Sequence, residues 1–396
     1  MAAADQRRHE CRLGGIRYPS SCRRESPEKS PQRQQQHQNH RGATTVELKR
    51  NPDSVWRSWS ASGALIACLA IAAPSHADTT LLLNGWAGAT QQLTKDILVG
   101  WAKEVEKASN GRIKYSLLPK APAAPSGTID AVINGLCDVS YISHGLHPGR
   151  FSLTKVVEFP QGGASAEINS VVYQRLYEKY LAQAGEHKGI KVINVFTHGP
   201  GHIFTSKRQI LKAADFDGLK MRVGGPVLSQ LMQAMGAAPV VRGAPEMYEL
   251  LSNGVVDGTL VPFSPVVTFK TEKIIRYGTS IPGGLYTLSF ALIMSEKTFN
   301  ALPKQDQDVI NHWSGERFAA RSGQAWDAED QDGLEALKKA GVQLTIADAA
   351  LVNAIRDKAK PIEDAWYKDA KAKGIDGEKV LAEFREETRK MAAAKR

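Results

Sequence analysis

One arginine stands where it could do chemistry without making or breaking a covalent bond. Arg222 closes the short apolar run Leu219-Lys-Met-Arg-Val223 and is followed by Gly224-Gly225-Pro226 and an amphipathic stretch that reaches Met235. A strand that ends in two glycines and a proline turns into a helix. A side chain at its carboxyl end points into the crevice where open α/β sheets bind ligands. A guanidinium there offers a carboxylate two parallel donors. The two glycines, Gly225 included, let a ligand approach the backbone, and the helix N-terminus behind them adds positive potential. The same arginine would serve equally as half of an internal salt bridge, and the residues alone leave both readings open.

Histidine offers the other candidate chemistry. His144 with His147, and His198 with His202, would together supply enough imidazoles for zinc. Gly199-Pro-Gly201 breaks the helix that would align the second pair, and no acidic residue stands at ligand spacing beside either, so hydrogen bonding is the expected role. From Asp78 onward there is no G-x-S-x-G, Walker, H-E-x-x-H, G-x-G-x-x-G or C-x-x-C pattern. No catalytic residue, metal ligand or cofactor is therefore expected. A hydrolase or lyase working through His202 or His144, and metal capture by the histidine pairs, are the competing function classes. Turnover of a bound acid, or zinc in the purified protein, would reveal them.

The elements that must hold Arg222 are short apolar strands alternating with amphipathic helices. Strands are expected at Thr80 to Asn84, Ile113 to Leu118, Lys155 to Phe159, Lys191 to Phe196, Leu219 to Val223, Pro239 to Val241, Thr259 to Pro262, Leu285 to Met294 and Val342 to Thr345. A helical stripe runs through Leu93, Ile97, Leu98, Trp101 and Val105 to a stop at Asn110-Gly111, and further helices fit Ala166 to Gln183, Pro226 to Met235 and Pro245 to Ser252. The chain becomes largely helical after Pro303. This βαβαβ order implies a mostly parallel sheet covered on both faces. A weak internal repeat aligns Ile129-Asp-Ala-Val-Ile-Asn-Gly-Leu-Cys-Asp138 with Tyr248-Glu-Leu-Leu-Ser-Asn-Gly-Val-Val-Asp257. In each copy glycine can end a helix in the left-handed conformation and aspartate opens the next strand, which suggests two similar lobes. Asp138 and Asp257 are accordingly expected to be structural.

Composition sets the outer limits. The 396 residues suffice for two domains with real cores, yet residues 1 to about 50 are poor in aliphatic side chains and rich in glutamine and arginine, a composition expected to stay disordered. Arg57, the apolar run Ala64 to Ala73 and Pro74-Ser-His-Ala77 read as a secretory signal cut after Ala77, too short to span a membrane. Translation starting near Val55 would give that signal ordinary length; the competing reading keeps residues 1–54 as a genuine tail. Leu65-Ile-Ala-Cys68 also resembles a lipoprotein box, but its apolar run is too short and a conventional cut follows it. Residues 1–77 hold 12 of the 51 Lys+Arg and 6 of the 41 Asp+Glu, so the formal +10 falls to +4 on processing and does not argue for nucleic acid. Only Cys137 of the four cysteines survives, which rules out an internal disulfide and suits a buried small residue.

From Asp78 to the C-terminus the chain resembles the periplasmic solute-binding proteins of tripartite ATP-independent periplasmic (TRAP) transporters, DctP type. The resemblance rests on Thr205-Ser-Lys-Arg-Gln-Ile, Asp215-Phe-Asp-Gly-Leu-Lys-Met-Arg-Val, Met235-Gly-Ala-Ala-Pro, Glu246-Met-Tyr and Asn253-Gly-Val-Val-Asp-Gly258 in that order. It implies an α/β protein of two lobes with mixed sheets, crossing segments and a long helix spanning both lobes, closing like a flytrap over an organic acid. Its partners would be that acid and the small and large membrane subunits, its location the periplasm, with no enzyme activity and no cofactor. The expected organisation is a tail at 1–54, a signal peptide at 55–77, lobe I at 78–201, lobe II at 202–284, a return to lobe I with the start of the spanning helix at 285–330, and a C-terminal helical region packing on lobe II at 331–396.

Arg222 falls on the family's carboxylate-binding arginine. Sialic-acid-type members carry a second arginine at the place of His202 and an asparagine at the place of Val261, where this chain reads Thr259-Leu-Val-Pro-Phe263. Losing that charge and amide disfavours a sugar acid, and Val261 with Phe263 favours a less polar monocarboxylate. His202 would hydrogen-bond the ligand or become a second cation beside a carboxylate. Trp86, Tyr141, His144, Phe204 and Tyr286 are further candidates for the cleft wall, each also able to serve as core. Glu246 and Tyr248 match the family pattern but also suit a helix start and packing.

Overall fold

Alternation of short apolar runs with amphipathic stretches produces two sheets. The computed structural model describes residues 78–147, 149–160, 163 and 165–395; the tail, the signal peptide with its cut after Ala77, and Cys11, Cys22 and Cys68 lie outside the described residues. The first sheet takes β1 (Thr79–Asn84), β2 (Ile113–Leu117), β3 (Val139–Ser143) and β4 (Ile190–Thr197). The second takes β5 (His202–Thr205), β6 (Lys220–Val223), β7 (Ala238–Val241), β8 (Gly258–Val261) and β9 (Tyr277–Ser280). The chain then returns to the first sheet with β10 (Ser289–Ser295) and to the second with β11 (Gln343–Ile346).

Spatial order is β2-β1-β3-β10-β4 in one lobe and β11-β9-β5-β8-β6-β7 in the other. Both sheets are mixed: β1 is parallel to β2 and β3 but β10 is antiparallel to β3 and β4, while β6 is parallel to β7 and β8 but β5 is antiparallel to β8 and β9. β3 and β10 are buried at every residue, as strands covered on both faces must be.

Helices cover these sheets. They are α1 (Val99–Ala108), α2 (Thr128–Ile133), α3 (Ala166–Leu176), α4 (Pro226–Ala234), α5 (Met247–Ser252), α6 (Phe263–Thr268), α7 (Glu296–Ala301), α8 (Lys304–His312), α9 (Glu316–Lys339), α10 (Ala349–Ala372) and α11 (Gly377–Ala394). A π-helical turn, Leu93–Leu98, leads into α1, and Asn110 and Gly111 end that helix with φ of 53° and 78°. The sequence repeat is a repeat of geometry. α2 and α5 each stop at Asn-Gly, with Gly135 at φ 73° and Gly254 at φ 66°. Asp138 then accepts from Leu82 N at 2.8 Å, and Asp257 accepts from Lys220 N at 2.9 Å. Each carboxylate thus binds a backbone N–H of the neighbouring parallel strand, two residues before the end of β1 and three before the end of β6.

Two segments cross between the sheets side by side. In the β4–β5 and β9–β10 connections, Gly201 N donates to Tyr286 O at 2.8 Å and Leu285 N to Gly201 O at 2.9 Å. A side chain at Gly201 would collide with the Tyr286 ring, so the pair needs glycine there. The long helix α9 grips both lobes. Asp327 accepts from Ala166 N and Glu167 N at the start of α3, at 2.7 and 3.0 Å, and Asp330 accepts from Ser264 N at the start of α6, at 2.9 Å. Gly323 and Gly333 lie so close to the backbones of Glu167 and Ser264 that a Cβ on either would meet them at 2.3 and 2.6 Å.

Three expectations differ from this architecture. Lys155 to Phe159 is no strand: Leu153–Val157 forms a 3-10 turn, a case of a short buried apolar run whose periodicity cannot distinguish the two. Helix α3 ends at Leu176, and π and 3-10 turns complete the expected stretch to Gln183. The C-terminal region does not pack on the second lobe alone. The first half of α10, through Leu351, Ile355 and Ala359, shares a core with Leu228 and Met232 of α4. Trp366 and then Val380, Leu381 and Phe384 of α11 instead join Tyr173 and Leu176 of α3 in the first lobe. β5, β9 and α6, four to six residues each, carried no readable period.

Candidate ligand cleft between the lobes

Strand β6 delivers Arg222 to the gap between the lobes. Its Nε and Nη2 donate to the carbonyl of Arg242 at 3.0 and 2.7 Å, and the residue is only 3% exposed. A backbone acceptor orients the guanidinium fork without neutralising it. Among the described residues no carboxylate forms an ion pair with Arg222; the nearby Glu246 lies 3.4 Å from Arg242 instead. Burial pushes the Arg222 pKa below its ordinary value, against upward pulls from Tyr286 and Glu246. A guanidinium starts so high that it stays charged at neutral pH. The site therefore holds a buried, oriented cation with donor capacity left over.

The walls around it are apolar. The cleft is lined from the first lobe by Trp86 and Leu146, from the second by Val261 and Phe269, and from the crossing segments and α9 by Leu288 and Trp326. Trp86 is held by its own indole, which donates to Tyr141 O at 2.9 Å, and Trp326 stacks on Phe290 with ring centres 6.4 Å apart. The lobes touch at one edge: a Cβ on Gly145 would stand 3.2 Å from Pro226 and 3.3 Å from the Gly225 Cα.

Few polar side chains face this space. Gln92 and Ser143 from the first lobe, 3% and 4% exposed, have an amide and a hydroxyl with no hydrogen-bond partner, and neither has the Trp326 indole nitrogen. Glu329 also lines the cleft, receives the Ser264 hydroxyl at 3.3 Å, and has its pKa raised by burial. His198 accepts from Leu288 N at 3.2 Å through Nε2 and donates from Nδ1 to Gly199 O; burial lowers its pKa to about 4, so it stands neutral.

Of the residues singled out from sequence, the fold brings Arg222, Trp86, Val261 and Tyr286 to this cleft, the last donating its hydroxyl to Leu260 O at 2.7 Å. The others lie elsewhere. His202 and Phe263 pack on each other at 4.3 Å and line a separate cavity by the crossing segments; His202 accepts from Ile281 N, and burial lowers its pKa to about 3, far from a second cation. Tyr141 is fully buried behind Trp86, where its hydroxyl accepts from Ala87 N and meets Thr94 Oγ1. Phe204 is interior to the second lobe. His144 meets His187 at 2.9 Å and Ser289 at 3.2 Å inside the first lobe, neutralised by burial and by its partner imidazole. Gly225 is the cap residue just before α4 and sits at the lobe contact, and Gly224 faces the cleft. Glu246 accepts from Gly243 N at a helix start, and Tyr248 is exposed outside the cleft. Burial pushes the Cys137 thiol up to about 12, which leaves it inert. Among the described residues no cluster of three metal-ligating side chains forms.

Gln92, Ser143, Leu288 and Trp326 were not found from the sequence. An aromatic or leucine facing a cleft has the same helical or strand spacing as one facing a core, so only Gln91-Gln92 just ahead of an apolar stripe was a signal.

Comparison with known proteins agrees with this geometry. Residues 84–369 match the family described as bacterial extracellular solute-binding protein, family 7, DctP. A Comamonas testosteroni protein named outer membrane transporter protein TsaT is 33% identical over 325 residues, 82% of this chain and 96% of its own. A TRAP periplasmic solute-binding protein from Bordetella bronchiseptica, solved with bound (R)-mandelate and (S)-mandelate, is 43% identical, covers 79% of this chain and 99% of its own, and superposes with a TM-score of 0.77. One from Rhodoferax ferrireducens, in complex with copurified benzoate, is 27% identical over 80% of this chain and all of its own, with a TM-score of 0.75. The chain belongs to the DctP family of TRAP-transporter solute-binding proteins, extracytoplasmic carriers rather than enzymes.

Proposed function

We propose that this protein is a periplasmic receptor for a small aromatic monocarboxylate, which it hands unaltered to the membrane subunits of a TRAP transporter. The observation that carries this reading is Arg222: a buried guanidinium, oriented by the Arg242 carbonyl, lacking an ion-pair partner among the described residues and facing aromatic walls. A carboxylate arriving there completes a charge-assisted pair, and Trp86, Phe290 and Trp326 take the ring out of water. Related proteins solved with mandelate and with benzoate support an aromatic acid over a sugar acid. So does Val261, an apolar side chain on the cleft wall where sialic-acid-type members carry an asparagine.

Affinity on this reading depends on the lobes staying together, because one lobe supplies the cation and the other much of the wall. Export would follow removal of the signal peptide after Ala77, and N-terminal sequencing of the mature protein checks that cut. Calorimetry with a panel of aromatic, aliphatic and sugar acids tests the ligand class. Binding of benzoate-like acids, lost in Arg222→Ala with the fold intact, is the expected result. Unchanged affinity in that variant, or binding confined to sugar acids, would reject the proposal.

A further inference from the structure

Resting on the aromatic-acid reading above, we infer that the cleft carries a second, uncharged recognition pole, formed by Gln92 and Ser143, that selects monocarboxylates bearing a hydroxyl over their unsubstituted counterparts. Both residues come from the first lobe and Arg222 from the second, so a ligand that satisfies both poles ties the lobes together.

The argument begins with what is buried without a partner. Gln92 and Ser143 are at least nine-tenths buried and line the same cleft as Arg222, yet neither amide atom of Gln92 nor the Ser143 hydroxyl has a hydrogen-bond partner. Buried polar groups are nearly always paired, so groups left open on a cleft wall mark where a ligand's polar atoms belong. Their chemistry narrows those atoms. An amide and a hydroxyl each donate and accept, and a ligand hydroxyl does the same. A second carboxylate would only accept, and among the described cleft residues Arg222 is the one fixed cation while Glu329 would repel a second anion. An ammonium group would only donate and would leave the Gln92 NH2 unpaired. His198 adds no charge. The complementary ligand therefore has one carboxylate, an apolar ring and one neutral hydroxyl.

A site built to pair a hydroxyl penalises the analogue that lacks it, because its own donors and acceptors then stay buried and unpaired. That hydroxyl can sit on the side chain or on the ring. Calorimetry with two matched pairs separates these sources: mandelate against phenylacetate, and 3-hydroxybenzoate against benzoate, with phenylmalonate as the dicarboxylate control. In the unaltered protein the hydroxy acid of one pair should bind about ten- to a hundredfold tighter than its partner, and phenylmalonate should bind weakest. In Gln92→Leu and Ser143→Ala that preference should shrink toward unity, the hydroxy acid losing affinity and the unsubstituted acid, relieved of the unpaired groups, losing none, with far-ultraviolet circular dichroism reporting an intact fold. Ser143→Ala, the smaller change, carries the test alone if Gln92→Leu does not accumulate. Equal binding within both pairs would sink the hydroxyl pole and leave the receptor reading standing. Equal weakening of both members by the variants would place these side chains on the carboxylate and also overturn the inference. Failure of all four monocarboxylates to bind would overturn the aromatic-acid reading and this inference with it.

Discussion

Asp138 binds the backbone of Leu82 in the first lobe, and Asp257 binds that of Lys220 in the second. Two residues further along each held strand stand Asn84 and Arg222, facing Ser140 and Thr259 on the neighbouring strand. Both are buried at the carboxyl end of their sheets. The amide of Asn84 has no partner, and the guanidinium of Arg222 has only a backbone carbonyl. One supersecondary junction therefore presents two equivalent positions, and only one carries charge. The comparison teaches that the junction supplies position and the residue placed on it supplies chemistry. A cleft with one charged end suits a ligand with one carboxylate.

The sharpest way to break this asymmetry is to remove its charged side. Arg222→Ala should cost about 3–5 kcal/mol of ligand affinity, the scale of breaking a buried ion pair, with unchanged far-ultraviolet circular dichroism; calorimetry that finds less than a tenfold loss would place the anion elsewhere. Next in size is the seam between the lobes. Gly145→Val inserts a side chain against Pro226 and Gly225. It should weaken binding at least about tenfold by propping the lobes apart, and leave unfolding nearly unchanged, since overpacking at a mobile contact is relieved by opening.

A third comparison sets the two grips of α9 against each other by pH. Burial, opposed by bonds from Ser264 and Phe263, raises the Asp330 pKa to about 7, while Asp327 rises less. A carboxyl that holds its proton more tightly folded than unfolded adds stability that is full below about pH 4 and lost as pH climbs to about 7. Urea unfolding should therefore show the wild type losing about 1–3 kcal/mol relative to Asp330→Asn between pH 4 and pH 8. Parallel curves for the two proteins would show that Asp330 keeps an ordinary pKa. The smallest effect tests the repeat itself. Asp138→Ala and Asp257→Ala should each cost about 1–2 kcal/mol of stability, because each removes a charged acceptor from a strand N–H. Asp138 should cost the more, since it also receives the Thr298 hydroxyl at 2.6 Å; the reverse order in denaturant melts would contradict the equivalence of the junctions.

What could be read from the chain follows from how local each signal is. The Asn-Gly stops, the aspartates after them and the strand bearing Arg222 are contiguous patterns with one physical meaning, and all appear in the structure where expected. β5 and β9 are four-residue strands whose burial comes from the other lobe elements, so no alternation marks them. His202 was a site candidate because it falls at the place of the family's second arginine, and His144 because it pairs with His147 and follows the first copy of the repeat. Their partners, Ile281 and His187, lie 79 and 43 residues away and turn both into satisfied interior groups. Trp326 was hidden for the opposite reason: on α9 it has the spacing of a core residue, and only the meeting of two lobes makes it a cleft wall.

The attachment points of α9 carry a mechanical consequence. Asp327 and Asp330 are three residues apart, so the helix start each one holds is separated from the other by roughly 4.5 Å along the rod. Sliding either half of the molecule lengthwise would tear both carboxylates from backbone amides, and Gly323 and Gly333 leave no slack at those points. The two lobes are thus pinned at neighbouring points of one rod, which resists their shearing past each other along it.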